Sequence, residues 1–259
     1  MTTPPPLRTF ASAVPLLLLA AWSVTARGAD ASAPAVPLIA CRTDGQMGPA
    51  NPQALAALPG LLDERLVAQI SFYSAAHAPG VYAPRGWYCV AWEGLNGSML
   101  LVTPRRVPPP YFPLPMITGP AVMLQSSDAA SSGRFRVAVI AAQVFPVVGA
   151  DFIDRIRQEH VIADSSFDAA PYPDDQLQYL SDRLVEFTTP ANRSGLGTDG
   201  MLEVSDLPVR GMMILNLPDE VNTLTEVRLR LPANLNPLAA TIMQLETTCL
   251  QLRGRCRGF

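Results

Sequence analysis

Apolar and polar residues alternate most clearly between Val227 and Leu231. Successive side chains of a β-strand point to opposite faces, so this alternation predicts a strand with one apolar and one charged face. The apolar face holds Val227, Leu229 and Leu231, and the charged face holds Arg228 and Arg230. We expect the apolar face to lie on the core and the arginines to lie in solvent.

A β-hairpin is predicted where two apolar segments, 87–93 and 98–103, are joined by a turn that contains Asn96-Gly97. Asn-Gly is typical of tight hairpin turns because it accepts the positive φ angles that they require. Apolar residues occupy both faces of the first segment, which indicates a central position in the sheet. The apolar segment 209–217 is predicted to be a further strand.

Apolar residues recur at helical spacing in the segments 51–76 and 236–249, and these are predicted to be mostly helical. A short helix is also predicted at 151–159, where acidic residues in the first turn suit the helix macrodipole. The segment 135–144 is predicted to be a buried strand, although its composition also fits a helix. The segment 176–188 fits either a helix or a strand. Together these patterns predict an α+β fold, with an antiparallel or mixed sheet and a few flanking helices.

The chain contains 26 prolines, which favour many loops and few long helices. They are dense in residues 104–120, which we interpret as an extended connection and as the place where a subdivision would fall. Apart from that, residues 32–259 are expected to form a single domain that is loop- and proline-rich.

Residues 1–31 have the pattern of an export signal. Arg8 precedes an apolar stretch from Val14 to Ala21, and small residues suited to cleavage end at Ala31. No later segment is long and apolar enough to span a bilayer. The signal predicts a periplasmic or secreted protein. An alternative start is a lipobox, Leu38–Cys41, which would place a lipid anchor on Cys41.

Cysteines in an oxidising compartment usually form disulfides. The four cysteines are Cys41, Cys89, Cys249 and Cys256, and their spacing favours the pairs Cys41–Cys89 and Cys249–Cys256. Lipidation would remove Cys41 from any disulfide. The chain has no C-x-x-C pair and only His77 and His160 as histidines, so we expect no metal site. No cofactor is expected either.

All 19 basic residues are arginine. The absence of lysine excludes a Schiff-base lysine, a Walker lysine and a Ser–Lys dyad. Acidic residues exceed basic ones between Asp151 and Glu226, whereas basic residues exceed acidic ones from Val227 onward. We expect the basic tail to be solvated or ion-paired rather than bound to nucleic acid.

Catalytic motifs are missing. Ala75-Ala76-His77 matches the surroundings of the catalytic histidine in trypsin-like proteases over three residues, but no matching serine motif follows. No serine lies in a nucleophile elbow. Carboxylates are plentiful in the segment 151–226, so a hydrolase with a carboxylate pair is the alternative hypothesis.

The most unusual polar segment lies between Thr188 and Gly200. Its glycines and hydroxyl groups, together with an arginine, are suited to an anion-binding nest of backbone N–H groups. The candidate ligand-binding residues are Arg193, Ser194, Gly195, Gly197 and Thr198. A glycine-rich loop that connects two strands is the alternative interpretation.

Three segments, Ala83–Cys89, Thr189–Ala191 and Gly195–Thr198, resemble segments of a family of exported proteobacterial proteins of unknown function. The resemblance implies a bacterial periplasmic or secreted protein and carries no catalytic residue with it. We therefore expect a non-catalytic binding or structural domain of the cell envelope, with an envelope partner or a small ligand. The alternative is a cell-envelope hydrolase that uses carboxylates of residues 151–226.

Overall fold

The computed structural model describes residues 36–45, 64–76, 78–108, 113–167, 172–217 and 223–251. Within these ranges the chain forms four α-helices: α1 (Glu64–Val67), α2 (Arg134–Val144), α3 (Ala150–Gln158) and α4 (Asn236–Gln251). It also forms ten strands: β1 (Leu38–Gly45), β2 (Ile70–Ala75), β3 (Ala78–Pro84), β4 (Tyr88–Gly94), β5 (Gly97–Thr103), β6 (Ala121–Asp128), β7 (Gln176–Tyr179), β8 (Leu184–Thr189), β9 (Val209–Asn216) and β10 (Thr223–Arg230).

The ten strands form one mixed sheet in the order β3-β2-β1-β4-β5-β6-β10-β9-β8-β7. Strand β1 is parallel to both of its neighbours, and the other pairs are antiparallel. The first half of β1, Leu38–Cys41, pairs with β2, and its second half, Arg42–Gly45, pairs with β4. The α+β fold expected from the sequence is confirmed.

The sheet has two buried faces, which the central strand β10 defines. Val227 and Leu229 lie on one face, in a core shared with Ile242 of α4 and with residues of the β2–β3 hairpin. We call this the α4 face. Leu224 lies on the opposite face, in a core shared with α2 and α3, which we call the α2 face. Both faces of this strand are therefore covered.

Several predicted elements are confirmed. The hairpin forms from β4 and β5, and β4 lies inside the sheet between β1 and β5. The strand predicted at 209–217 is β9, and the helices predicted at 151–159 and 236–249 are α3 and α4. The described parts of 104–120 contain no helix or strand, only a single bridge between Ile117 and Leu202.

Two predicted elements are wrong. The segment 135–144 belongs to helix α2, because its buried residues recur at helical spacing and its alanines favour a helix. In the segment predicted as a helix at 51–76, the described residues form only the short α1 and then strand β2. All six residues of β2 are buried, so the strand lacks the polar alternation that identifies strands in a sequence. The ambiguous segment 176–188 forms most of the β7–β8 hairpin.

The disulfide predicted between Cys41 and Cys89 is present, with a Cα–Cα distance of 5.4 Å. It joins β1 to β4 next to the first residue pair of their ladder, Arg42 and Val90. Because a lipidated cysteine has no free sulfur for this bond, the structure contradicts the lipid anchor at Cys41. Cys249 is also in a disulfide, and its predicted partner, Cys256, lies outside the described residues.

The export signal predicted at 1–31 lies outside the described residues, as does His77. In the part of the chain that the structure describes, no helix is both long enough and apolar enough to cross a membrane.

Candidate functional site

A groove with a volume of about 690 Å³ lies on the α4 face, between helix α4 and strands β7, β8 and β9. We call it the α4 groove. Its lining is mostly polar, with side chains that end in amides, hydroxyls, one carboxylate and one guanidinium: Gln176, Gln178, Glu186, Thr188, Arg210, Gln244, Thr247 and Thr248. Leu177, Phe187, Ala240 and Met243 complete it. The volume lies within the usual range for ligand sites.

The strand side of the groove consists of two rows of residues that lie directly opposite one another on neighbouring strands. Gln176, Thr188 and Arg210 form one row across β7, β8 and β9. Gln178 and Glu186 begin the other row, which continues into the buried Met212. Because side chains alternate along a strand, Gln176 and Gln178 of β7 and Glu186 and Thr188 of β8 lie on the α4 face. Leu177 and Phe187, which lie between them and belong to the other face, also border the groove.

Helix α4 forms the other wall. Thr247 and Thr248 follow Gln244 by three and four positions and therefore lie on the same side of the helix as Gln244. The Thr247 hydroxyl donates a hydrogen bond to Oε1 of Glu186 at 3.4 Å, which links the helix to β8 across the groove. The wall and the strand rows come from parts of the chain that are far apart in sequence.

Most of the polar groups in the groove are available to a ligand. The side chains of Gln176, Gln178 and Gln244 make no hydrogen bond with another described residue, and the Arg210 guanidinium makes neither a hydrogen bond nor an ion pair there. Glu186 contributes a half-buried carboxylate. The groove therefore offers amide and guanidinium donors together with amide and carboxylate acceptors.

The opposite, α2 face contains a buried ionic network. The Arg136 guanidinium donates to both carboxylate oxygens of Glu226, at 2.9 and 3.0 Å, and lies 3.2 Å from a carboxylate oxygen of Asp199. Arg228 donates to Glu226 at 2.9 Å and to the Leu196 carbonyl at 2.9 Å. Glu226 and Arg228 are fully buried. Each charge in this network has an opposite charge beside it, as burial requires.

Burial acts to raise the pKa of the Glu226 carboxyl, but the positive charges of Arg136 and Arg228 outweigh it, so the pKa is lowered. Burial acts to lower the pKa of Arg136, and the attraction of Glu226 and Asp199 outweighs it, so that pKa is raised. Both shifts favour the ionised forms of Glu226 and Arg136, whereas burial lowers the pKa of Arg228 despite the attraction of Glu226.

The prediction that the arginines of β10 lie in solvent is wrong. Arg228 and Arg230 are both 0% exposed. Arg230 donates to the carbonyl oxygens of Ile117, Gly119 and Glu203, at 2.9, 3.3 and 2.5 Å. Helix α2 and the loops that surround β10 cover this face, so the arginines hold separate segments of the chain together.

The residues predicted to form an anion site lie in the loop between β8 and β9. Its backbone N–H groups are directed to acceptors within the protein. Gly195 N–H donates to the Thr198 hydroxyl, Gly197 N–H donates to the Thr189 hydroxyl, and Leu196 N–H donates to a carboxylate oxygen of Asp175 at 2.7 Å. The N–H groups of this loop thus already bind a carboxylate of the chain itself, that of Asp175. This arrangement fits the alternative interpretation, a glycine-rich loop that connects two strands.

Within the same loop, Arg193 is 3.6 Å from a carboxylate oxygen of Asp174, and both side chains are largely exposed. Ser194 is exposed as well. An external anion would have to compete with these carboxylates for the arginine and the N–H groups. Binding of an anion at this loop stays a prediction, and Arg193 is the residue through which it can be tested.

The acidic segment 151–226 does bring two carboxylates together, since Asp199 and Glu226 both contact Arg136. A carboxyl that acts as general acid needs a raised pKa, whereas the pKa of Glu226 is lowered. Neither carboxylate lines the α4 groove. This pair is therefore suited to holding α2 and the β8–β9 loop on the sheet, and the hydrolase alternative receives no support from it.

A third buried carboxyl lies in α4. Glu246 is 1% exposed, and its Oε1 accepts a hydrogen bond of 2.6 Å from the backbone N–H of Tyr82 in the edge strand β3. Burial raises the pKa of Glu246 to about 8, and the N–H of Tyr82 only partly opposes this. Burial and the nearby Glu246 also raise the pKa of Tyr82 to about 12.

The residues of the α4 groove were not among the site residues predicted from the sequence. One signal was present: Gln176 and Gln178 alternate with apolar residues, which places both glutamines on one face of a strand. The opposing wall could not be recognised, because Gln244 and Thr247 are unremarkable on a helix until the strand beneath them is known.

Comparisons with known proteins identify no relative of this chain. No protein-family model matches the chain, and neither a curated protein nor a solved structure matches it significantly. Among the described residues, no group of three or more histidine, cysteine or acidic side chains is arranged to hold a metal ion.

Proposed function

We propose that this protein is an exported bacterial binding protein of the periplasm or the extracellular space, and that it holds a polar ligand in the α4 groove without catalysing a reaction. The observation that carries this proposal is the convergence on one groove of polar groups from α4, β7 and β9 that have no partner among the described residues. Ligand sites typically combine a concave shape with a few such converging groups.

The disulfide supports the compartment in this proposal. Disulfides persist in exported proteins and are rare in the reducing cytosol, and Cys41–Cys89 connects two neighbouring strands of the core sheet. The export signal predicted for residues 1–31 points to the same compartment.

The composition of the groove supports a ligand with several hydrogen-bonding groups. Arg210 is suited to a carboxylate or a carbonyl of the ligand, Glu186 to an amine or a hydroxyl, and the glutamines to amides or hydroxyls. A charge-assisted hydrogen bond to Arg210 would be among the stronger contacts in such a complex. We expect free amino acids, short peptides or sugars to match this pattern.

Titration followed by NMR tests the proposal directly, because the side-chain amides of Gln176, Gln178 and Gln244 report from inside the groove. We expect at least one class of a panel of amino acids, dipeptides and monosaccharides to shift these amide signals at millimolar concentration. Arg210→Ala is expected to weaken that response about tenfold, the effect of losing one charge-assisted hydrogen bond.

Arg193→Ala is the matched control, because it removes an arginine from the loop predicted to bind anions and leaves the groove unchanged. Equal affinity of this variant and the wild type would support the groove. A loss of binding in Arg193→Ala, with Arg210→Ala unaffected, would place the ligand at the loop instead. If no compound of the panel shifts the groove amides, binding of a polar small molecule in the groove is refuted.

A further inference from the structure

Strand β7 ends the sheet on the side of the α4 groove, and no described strand pairs with its outer edge. All four of its residues are exposed, including the large apolar side chains of Leu177 and Tyr179. A strand at the edge of a sheet presents main-chain N–H and C=O groups that a further extended segment can pair with.

The hydrogen-bond register identifies the open groups. Leu180 N–H donates to the Leu184 carbonyl at 2.9 Å, and residues of an antiparallel pair alternate between facing their partner and facing away from it. Counting back from Leu180, the main-chain groups of Gln178 and Gln176 face β8, whereas those of Leu177 and Tyr179 face outward. No described residue bonds to these outward groups.

The opposite edge of the sheet, strand β3, is covered by a helix. Strand β3 is the other terminal strand, and helix α4 covers it, with Glu246 accepting the hydrogen bond from Tyr82 N–H. Most residues of β3 are buried. In the described part of the molecule, one edge is thus closed by a helix while the edge beside the groove is left accessible.

A strand added to β7 would meet two different environments. Its side chains on the α4 face would continue the rows that begin at Gln176 and Gln178 and would lie beside the groove. Its side chains on the α2 face would lie beside Leu177 and Tyr179, and the Tyr179 hydroxyl is fixed by a hydrogen bond of 2.8 Å to the Val144 carbonyl. Polar and apolar residues in alternation suit these two sides.

We infer that β7 binds an extended peptide of a partner protein as an additional strand, with its polar side chains directed to the α4 groove. This inference rests on the proposed function and assigns the class of ligand. A second copy of β7 is the other conceivable occupant. It would place only two glutamines beside the groove and leave most of the 690 Å³ empty, so the observations favour a free peptide.

The probe is a short capped peptide of alternating valine and polar residues, with one arginine and one glutamate among the polar positions to pair with Glu186 and Arg210. Fluorescence anisotropy measures its Kd, and amide hydrogen exchange measures protection of Leu177 and Tyr179. We expect binding to protect both amides. N-methylation of the peptide amides that face β7 is expected to weaken binding at least about tenfold, because it removes main-chain hydrogen bonds.

Leu177→Pro removes one outward N–H from β7, and Leu177→Val is its matched control because it keeps that N–H and an apolar side chain. We expect a loss of about tenfold in affinity for the proline variant and less than about twofold for the valine variant. If the proline variant does not fold, the comparison of the plain and N-methylated peptides decides the question alone.

Three results would overturn strand addition. The first is equal affinity for the plain and N-methylated peptides; if Arg210→Ala abolishes that binding, the groove of the proposed function is still the site. The second is no binding of the peptide to a protein whose groove amides respond to small molecules, which also leaves the proposed function intact. The third is dimerisation in sedimentation that protects Leu177 and Tyr179 without peptide, which would make a second copy the occupant.

Discussion

Replacing Glu246 with glutamine is expected to change how the stability of the fold depends on pH. The carboxyl lies on the buried side of α4, in line with Leu238 and Ile242, where the apolar spacing of the helix would place a hydrophobic residue. It accepts the N–H of Tyr82 and has no basic partner among the described residues. Glutamine preserves the acceptor and removes the titratable proton.

The magnitude follows from the shift in pKa. Burial raises the pKa of Glu246 from 4.5 to about 8, so the folded state retains a proton that the unfolded chain has released. Its contribution to stability is complete below pH 4.5 and is lost as the pH rises through 8. Each pKa unit corresponds to about 1.4 kcal/mol, so the free energy of unfolding falls by at most about 5 kcal/mol across this range.

Urea denaturation at a series of pH values measures this effect, because linear extrapolation gives the free energy of unfolding at each pH. The stability of Glu246→Gln relative to the wild type is expected to increase from pH 5 to pH 8 by up to about 1.4 kcal/mol per pH unit. Glu93→Gln, which makes the same chemical change in strand β4, is the matched control for the substitution itself.

A wild type and a Glu246→Gln variant with parallel stability curves between pH 5 and pH 8 would refute the reasoning, because one proton must then be bound equally by the folded and unfolded states. So would a variant that loses stability steeply at high pH, since the titrating group would lie elsewhere.

Three further predictions concern the ionic network, the disulfide and the hairpin. Glu226→Gln leaves Arg136 and Arg228 without their shared carboxylate, and we expect the free energy of unfolding, measured with urea, to fall by about 3–5 kcal/mol. A Glu226→Met/Arg228→Met double variant removes the buried pair and should be more stable than Glu226→Gln; equal or lower stability of the double variant would contradict the reasoning. Replacing both Cys41 and Cys89 with serine opens a loop closed over 48 residues and is expected to cost about 2–4 kcal/mol; an unchanged urea midpoint would show that the bond adds nothing. Gly97→Ala introduces a Cβ 1.9 Å from the Ser126 carbonyl oxygen at a φ of +133°, so a loss of more than about 2 kcal/mol is expected in thermal or urea unfolding; Gly86→Ala, at φ +81° in open space, is the control and is expected to lose less.

If the peptide experiment succeeds, the two edges of the sheet have different roles. Glu246 and α4 close the β3 edge, while the β7 edge with its adjoining groove binds the partner. The same helix then supplies both the cover of one edge and a wall of the binding groove, so a variant in α4 should be assessed at both places. Comparing the peptide affinity of Glu246→Gln with that of the wild type at pH 5 would show whether the two roles are independent.

The sequence alone determined features that depend on neighbours along the chain. Asn96-Gly97 specifies the turn between β4 and β5, the acidic first turn indicates α3, and the spacing of apolar residues identifies α4. The alternation at β10 identifies it as a strand. Local backbone preferences and the alternation of side chains are sufficient for these features, because they do not depend on what lies against the element.

Only the tertiary structure decided which faces are covered and by what. Arg228 and Arg230 look solvent-exposed in the sequence, yet other segments of the chain bury both of them. Arg136, far away in the chain, shares the Glu226 carboxylate with Arg228, and Arg230 bonds to carbonyl oxygens of two loops. The α4 groove exists because residues of α4 lie opposite residues of β7, β8 and β9, and no local pattern encodes that arrangement. Burial, ion pairing and the shift in the pKa of Glu246 all depend on contacts between distant segments, so they follow from the packing and not from the spacing of residues.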